Sequence, residues 1–131
     1  METQERPSCE VTLKVPFYDL DPMQIVWHGH YLKYFDIARS ELYDRLGVDL
    51  FAVHDKTRYL FPIIRSSVKH VHPLRRGDEF VCRATVKEAR TKIVVAFELR
   101  LKDGTLCARG TTEQVAVREP EMELEFSIPD D

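Results

Sequence analysis

The stretch YDLDPMQIVWHGHY, residues 18–31, packs two carboxylates, Asp19 and Asp21, and two imidazoles, His28 and His30, into fourteen residues. That mix suits either a divalent metal or metal-free acid/base chemistry. Asp and His are acceptable ligands of zinc, iron or manganese, and His70-x-His72 puts two more imidazoles on one face of a strand. The spacing argues against a metal. His28 and His30 stand two apart at a helix start, and side chains two apart on a helix point about 200° apart rather than converging. His70 and His72 adjoin Pro73 at a strand end, where a histidine is ordinarily solvated. No metal is therefore expected. In the acid/base reading, Asp21-Pro22 follows a strand and precedes a helix by about eight residues. The carboxylate then sits in a loop beside a helix N-terminus, whose free N–H groups and dipole favour negative charge. A substrate carbonyl placed there has its developing oxyanion met by backbone donors while Asp21 acts from close by. The competing reading is an Asp-x-Asp turn that only orders the loop, the role that best suits Asp19 at the strand end.

The elements around this stretch follow from periodicity. Val11, Leu13, Val15 and Phe17 alternate with Thr12, Lys14 and Pro16, the period of two of a half-buried strand over Cys9–Phe17. Pro16 has no N–H for the ladder, so the strand ends or lies at an edge there. In HYLKYFDIARSELYDRLG, Leu32, Phe35, Leu42 and Leu46 fall near helical spacing and Gly47 supplies the stop, a helix of about four turns. Tyr31, Tyr34, Ile37, Ala38 and Tyr43 add apolar surface on further faces, so the helix is expected to be enveloped. Residues 61–72, 79–89, 92–102 and 105–118 read as four strands rich in Val, Ile, Phe and Thr. Asp103-Gly104 is a hairpin signal between the last two. Ile93, Val95, Phe97, Leu99 and Leu101 face one way and Glu98, Arg100 and Lys102 the other. Strand, long helix and four meandering strands make an α+β pattern, best buried by an antiparallel sheet curled round its long helix.

At 131 residues the chain reads as one domain, 1–131, with no repeats or linker and loosely held ends at METQERPS and SIPDD. It is too short for two lobes with a cleft between them, which points to a pocket shared between subunits of a homo-oligomer. With 44% hydrophobic and 31% charged residues it has the composition of an ordinary globule, and no apolar run approaches the roughly 18 residues of a membrane span. Nineteen basic against 22 acidic residues, with no basic motif carrying interleaved aromatics, argue against nucleic acid as a partner. No export signal is visible at the start, so a cytoplasmic location is expected. Cys9, Cys82 and Cys107 are odd in number and widely spaced, and read as reduced structural thiols.

The stretch YDLDPMQIVWHGHYLKYFDIAR resembles the signature of hotdog-fold acyl-CoA thioesterases of the 4-hydroxybenzoyl-CoA thioesterase type. The features in register are the Asp-x-Asp pair, Val26, the Trp27-His28 pair, Tyr31 on the helix, and the closing Ala38-Arg39. HPLRRGDEFVCRATV and GTLCARGTTEQVAV continue the likeness more weakly, so that it spans nearly the full chain. The resemblance implies a hotdog fold, a five-stranded antiparallel sheet wrapped round one long helix, and hydrolysis of an acyl-CoA thioester without a cofactor. It implies that Asp21 is the catalytic carboxylate, as nucleophile or general base, and that the His28 N–H is the oxyanion donor. Many members have glycine where this chain has Gln24, a departure that bears on the path of the loop. Trp27 and Tyr31 are candidates to line an acyl pocket, as are Tyr34 and Phe35. Arg90 and Lys92, with Lys69, Arg75 and Arg76, are candidates for the phosphates of coenzyme A, which cationic side chains can meet. The family points to a dimer or a tetramer of paired dimers. Acyl carrier protein as the acyl carrier, and a non-catalytic acyl-binding protein, are the alternatives. No serine lies in a GxSxG elbow and no cysteine has a histidine partner, which removes the usual rival hydrolases.

Overall fold

The computed structural model describes residues 6–118 and 123–124; the expectation of loose chain ends falls mostly outside these. The elements run β1 (Ser8–Lys14), α1 (Tyr31–Leu46), α2 (Leu50–Thr57), β2 (Tyr59–Leu60), β3 (Ile63–His70), β4 (Glu79–Ala89), β5 (Ile93–Leu101), β6 (Leu106–Gln114), β7 (Val117–Arg118) and β8 (Glu123–Leu124). Single 3₁₀ turns stand at Phe17–Asp19 and His28–His30. Five strands form one antiparallel sheet in the order β1-β4-β5-β6-β3, so β1 and β3 are its edges, and β2, β7 and β8 form a small second sheet.

The sheet curls round α1. Tyr31, Tyr34, Phe35, Ala38 and Leu42 are the buried residues of the helix, a stripe at three- and four-residue intervals. Phe35 stacks face to face on Phe97 with centroids 4.4 Å apart, and Tyr34 packs on Phe80. Each such ring contributes roughly 1.5–3 kcal/mol by leaving water. Helix and sheet approach closely at Gly110, where a Cβ would stand 2.7 Å from the Phe35 ring and 2.1 Å from the Ser67 carbonyl oxygen of the neighbouring strand. Gly47, at φ 72°, ends α1 in the left-handed conformation. The three cysteines are buried and unpaired, and burial pushes the Cys82 thiol up to about 12. Among the described residues no helix is long and apolar enough to cross a membrane.

Several expectations change. The first strand stops at Lys14: Pro16 cannot donate and the chain turns, leaving Phe17 73% exposed. Leu32 and Leu46 lie off the buried stripe and are exposed, so α1 is covered on one face only. The last strand is two, because Val115 and Ala116 break the ladder between β6 and β7. Helix α2 was not expected at all; Asp49 caps it, accepting from the Phe51 and Ala52 N–H groups.

Candidate active site

The loop from Asp19 to His30 is held by its own backbone. Leu20 and Val26 form an antiparallel bridge. Within it the Asp21 N–H donates to Ile25 O and the Gln24 N–H donates to Asp21 O, both at 2.9 Å, while the Met23 N–H donates to Asp21 Oδ1 at 2.8 Å. This is an Asx-type turn with Pro22 at its first corner. Gln24 takes φ 66°, the left-handed region, so the loop follows a glycine-like path without the glycine. Val26 then donates to Leu74 O, and Ile25 bridges to Arg75, which docks the loop on the segment between β3 and β4.

The Trp27 N–H donates to Asp19 O, and the 3₁₀ turn that leads into α1 begins one residue later. Trp27 precedes that turn and makes no side-chain cap. In the loop the N–H groups of Asp19, Leu20, Asp21, Gln24, Val26, Trp27 and His30 donate to backbone oxygens and that of Met23 to the Asp21 carboxylate; the His28 N–H, first in the turn, is not among them. It is therefore one of the donors that a helix start leaves for an outside acceptor.

A cleft of about 370 Å³ opens here. Asp21, Met23 and Val26 line it from the loop, His28 and Tyr31 from the helix start, and His70, Val71 and His72 from the exit of β3. Asp21 is half-buried and Trp27 is 48% exposed, its ring against those of His28 and His30. Tyr31 is buried; its hydroxyl oxygen accepts from the Leu74 N–H at 3.4 Å, its ring meets His70 edge-on, and burial raises its hydroxyl pKa.

Asp19 is of another kind. It is fully buried, Lys33 Nζ donates to both of its oxygens at 2.8 Å, and the Tyr34 hydroxyl donates to Oδ2 at 2.6 Å. Burial alone would raise its carboxyl, but the bonds from Lys33 and Tyr34 and the Lys33 charge outweigh it and hold the group below the usual carboxylate range. Burial and the Asp19 carboxylate together drive the Tyr34 hydroxyl far up, so it stays a donor.

The structure thus gathers Asp21, His28 and Tyr31 in one cleft, whereas Trp27, its ring packed on His28 and His30, is not among the lining residues. Arg90 and Lys92 are elsewhere: they flank the β4–β5 turn, where Lys92 pairs with Glu113 at 2.9 Å. Ala108 of β6 faces the His70 end of β3 and Gln114 faces Ile63 and Ile93. Six residues of strand separate these ends by about 20 Å. Arg75 and Arg76 also stand beside the loop; Arg75 bridges to Ile25, and Arg76 lies over the Phe17 ring. His70 is exposed, as expected of a histidine at a strand end, and both His70 and His72 line the cleft, a position not expected of them. Their place on one strand face just before Pro73, the residue that turns the chain past the loop, was the available signal.

One long helix cradled by a five-stranded antiparallel sheet is the hotdog fold, and solved hotdog structures superpose on this chain over most of its length. A 1,4-dihydroxy-2-naphthoyl-CoA thioesterase from Synechocystis does so with a TM-score of 0.84 at 18% identity, covering 93% of this chain and 90% of its own. An aspartate-to-asparagine mutant of 4-hydroxybenzoyl CoA thioesterase complexed with 4-hydroxybenzoyl CoA gives 0.83 at 20% identity, with 95% of each chain covered. Residues 23–108 match the family model described as the Thioesterase superfamily, and the chain belongs to that family. The Bacillus subtilis protein named "Putative acyl-CoA thioesterase YneP" is 24% identical over 106 residues, 80% of this chain and 76% of its own.

Proposed function

We propose that the protein hydrolyses an acyl-CoA thioester to the free acid and coenzyme A, with Asp21 as nucleophile or general base and the His28 N–H as oxyanion donor. The observation that carries this reading is the meeting, in one cleft of about 370 Å³, of a half-buried carboxylate with an uncapped helix start. Membership of the thioesterase superfamily and the names of the relatives point the same way.

A thioester carbonyl is activated toward attack and its thiolate leaves readily, so a carboxylate and an oxyanion donor suffice. As nucleophile, Asp21 forms a mixed anhydride while the C–S bond breaks, and water then cleaves the anhydride. As base, it takes a proton from the water that attacks the carbonyl. Met23 engages only Oδ1, leaving Oδ2 for either task. Trp27 and Tyr31 border the acyl group, and no cofactor or metal enters the scheme.

Arg90 and Lys92 serve the phosphates of coenzyme A in this reading only as residues of a second copy. Every residue of β3 except Val68 is exposed, and β3 is a sheet edge with its ladder open. Antiparallel pairing of two β3 edges about a two-fold axis continues the sheet and carries the Ile63 end of one copy, with its β4–β5 turn, toward the His70 end of the other. The functional unit is accordingly a dimer, alone or paired into a tetramer.

The test is release of free thiol from a panel of acyl-CoAs and acyl carrier protein thioesters. The reading expects turnover of CoA thioesters above that of the carrier-protein forms, by a species at least twice the chain mass. Binding of acyl-CoA without turnover would instead favour an acyl-thioester-binding protein.

A further inference from the structure

Among the described residues Asp19 is the buried charged side chain outside the chemistry proposed above, and its place in the loop is particular. Its carboxylate is reached by three residues from the start of the helix: Lys33 and Tyr34 by hydrogen bonds, and His30 Nε2 at 3.7 Å. Its backbone oxygen accepts from Trp27, one residue before His28, and its own N–H is tied to Pro16 O. Two residues further along the chain stands Asp21. One residue therefore joins the approach to the Asp21 turn, the segment just before the His28 N–H, and the first turn of α1.

A buried carboxylate is costly unless well partnered, so this one calls for a reason. Lys33 does not supply it: its side chain is 42% exposed and has water available without Asp19. The need runs the other way, with Lys33 and Tyr34 keeping a charge inside the loop. Gln24 adds to the picture, since a non-glycine residue in the left-handed region persists where the surrounding structure holds both ends of its turn.

Resting on the reading of the site given above, we propose that Asp19 is a positioning residue: clamped by Lys33 and Tyr34, it sets the separation between the Asp21 carboxylate and the His28 N–H. It touches no substrate. Its contribution is to hold nucleophile and oxyanion donor in one frame, where a displacement near 1 Å costs up to about a hundredfold in rate.

The clamp is tested from both sides, with Asp19→Asn, Lys33→Met and Tyr34→Phe, measuring kcat, KM and Tm on the best acyl-CoA of the panel. Tyr34→Phe is the decisive variant, because it removes one hydroxyl and keeps the ring packed on Phe80. The expected result is a kcat lower by about tenfold in Tyr34→Phe and about ten- to hundredfold in Asp19→Asn, with KM within about threefold in both. Lys33→Met should fall between them. A merely structural Asp19 would lower Tm and leave kcat per folded molecule alone; parental kcat in folded Tyr34→Phe and Lys33→Met overturns the proposal, whatever becomes of Asp19→Asn. Asp21→Asn is assayed alongside. If it is inactive while the clamp variants keep their kcat, the clamp alone is refuted; if it turns over at the parental rate, the site itself is refuted and the clamp with it.

Discussion

At the start of α2 the Asp49 carboxylate accepts from the Phe51 and Ala52 N–H groups at 3.0 and 3.2 Å, whereas the turn leading into α1 is preceded by Trp27, which offers its helix no acceptor. Both helices present the same open donors and the same positive end. In α2 the chain fills them itself. In α1 the nearest acid of the cleft, Asp21, turns its Oδ1 to Met23 and leaves the helix start open beside it. Polarity and size do not separate the two places, since a larger cleft of about 530 Å³ lies between α1 and α2. Several of its polar groups are matched to one another: Arg39 bonds Asp36 and Thr112, Tyr43 bonds Gln114, and the Asp49 carboxylate caps α2. A helix start without a side-chain cap, beside a loop carboxylate, distinguishes the Asp21 cleft.

The contrast is broken most severely at Asp21. Asp21→Asn keeps the shape and the acceptor for the Met23 N–H but removes the charge. A general-base contribution is typically about 10² to 10⁴ in rate, so kcat should fall by that much or more, with Tm and acyl-CoA binding close to parental. Near-parental turnover by a normally melting variant would sink the assignment.

Making α1 start as α2 does is the second way to break it. Trp27→Asp places an acceptor at the capping position and a negative charge where the oxyanion develops. Trp27→Ala removes the same ring without that charge and is the control. The Asp variant should turn over about tenfold more slowly than the Ala variant while melting no lower. Equal rates for the two would show that the oxyanion is bound elsewhere.

How much of this could be read in advance differs along the chain. Strand β4 occupies 79–89 as expected and β5 differs by one residue at each end, because strict alternation over nine to eleven residues leaves little choice of period. The long helix and its stop at Gly47 were equally legible. Helix α2 was not, although Asp49 ahead of an apolar pair is a capping signal; eight residues give too few turns for periodicity to register. The two-residue strands β2, β7 and β8 carry no pattern at all. At the site, the placing of Asp21 in a loop beside a helix start was legible from local order, while the His28 N–H as a donor came from the family resemblance. The burial of Asp19 was not, since its partners Lys33 and Tyr34 lie fourteen and fifteen residues away and only the fold brings them together. For the same reason Arg90 and Lys92 could be proposed from charge but not located.

The two carboxylates of the loop also separate under acid. The folded-state pKa of Asp19 is depressed, so its contribution to stability is present above the unfolded value, near pH 4, and is lost as pH falls through the lower folded value. Thermal melts from pH 6 down to pH 2 should show a loss in the parent below about pH 4 that is shallower in Asp19→Asn. An unchanged acid limb would mean that other carboxylates carry it.

The capped helix gives the smallest effect and the cleanest control. Asp49→Ala removes the acceptor of two N–H groups, and loss of such a cap costs about 1 kcal/mol, or roughly 3–5 °C of Tm in a chain of this size. The donors left open in α2 then match those of α1 in kind, but the other carboxylates of that cleft, Asp36 and Asp44, stand on α1 rather than in a loop that leads into the helix start as Asp21 does. The variant should therefore keep parental kcat and KM on every thioester of the panel, and adding Asp49→Ala to Asp21→Asn should restore nothing. Activity that moved with the α2 cap would mean that a helix start without a loop carboxylate such as Asp21 is enough to make a site.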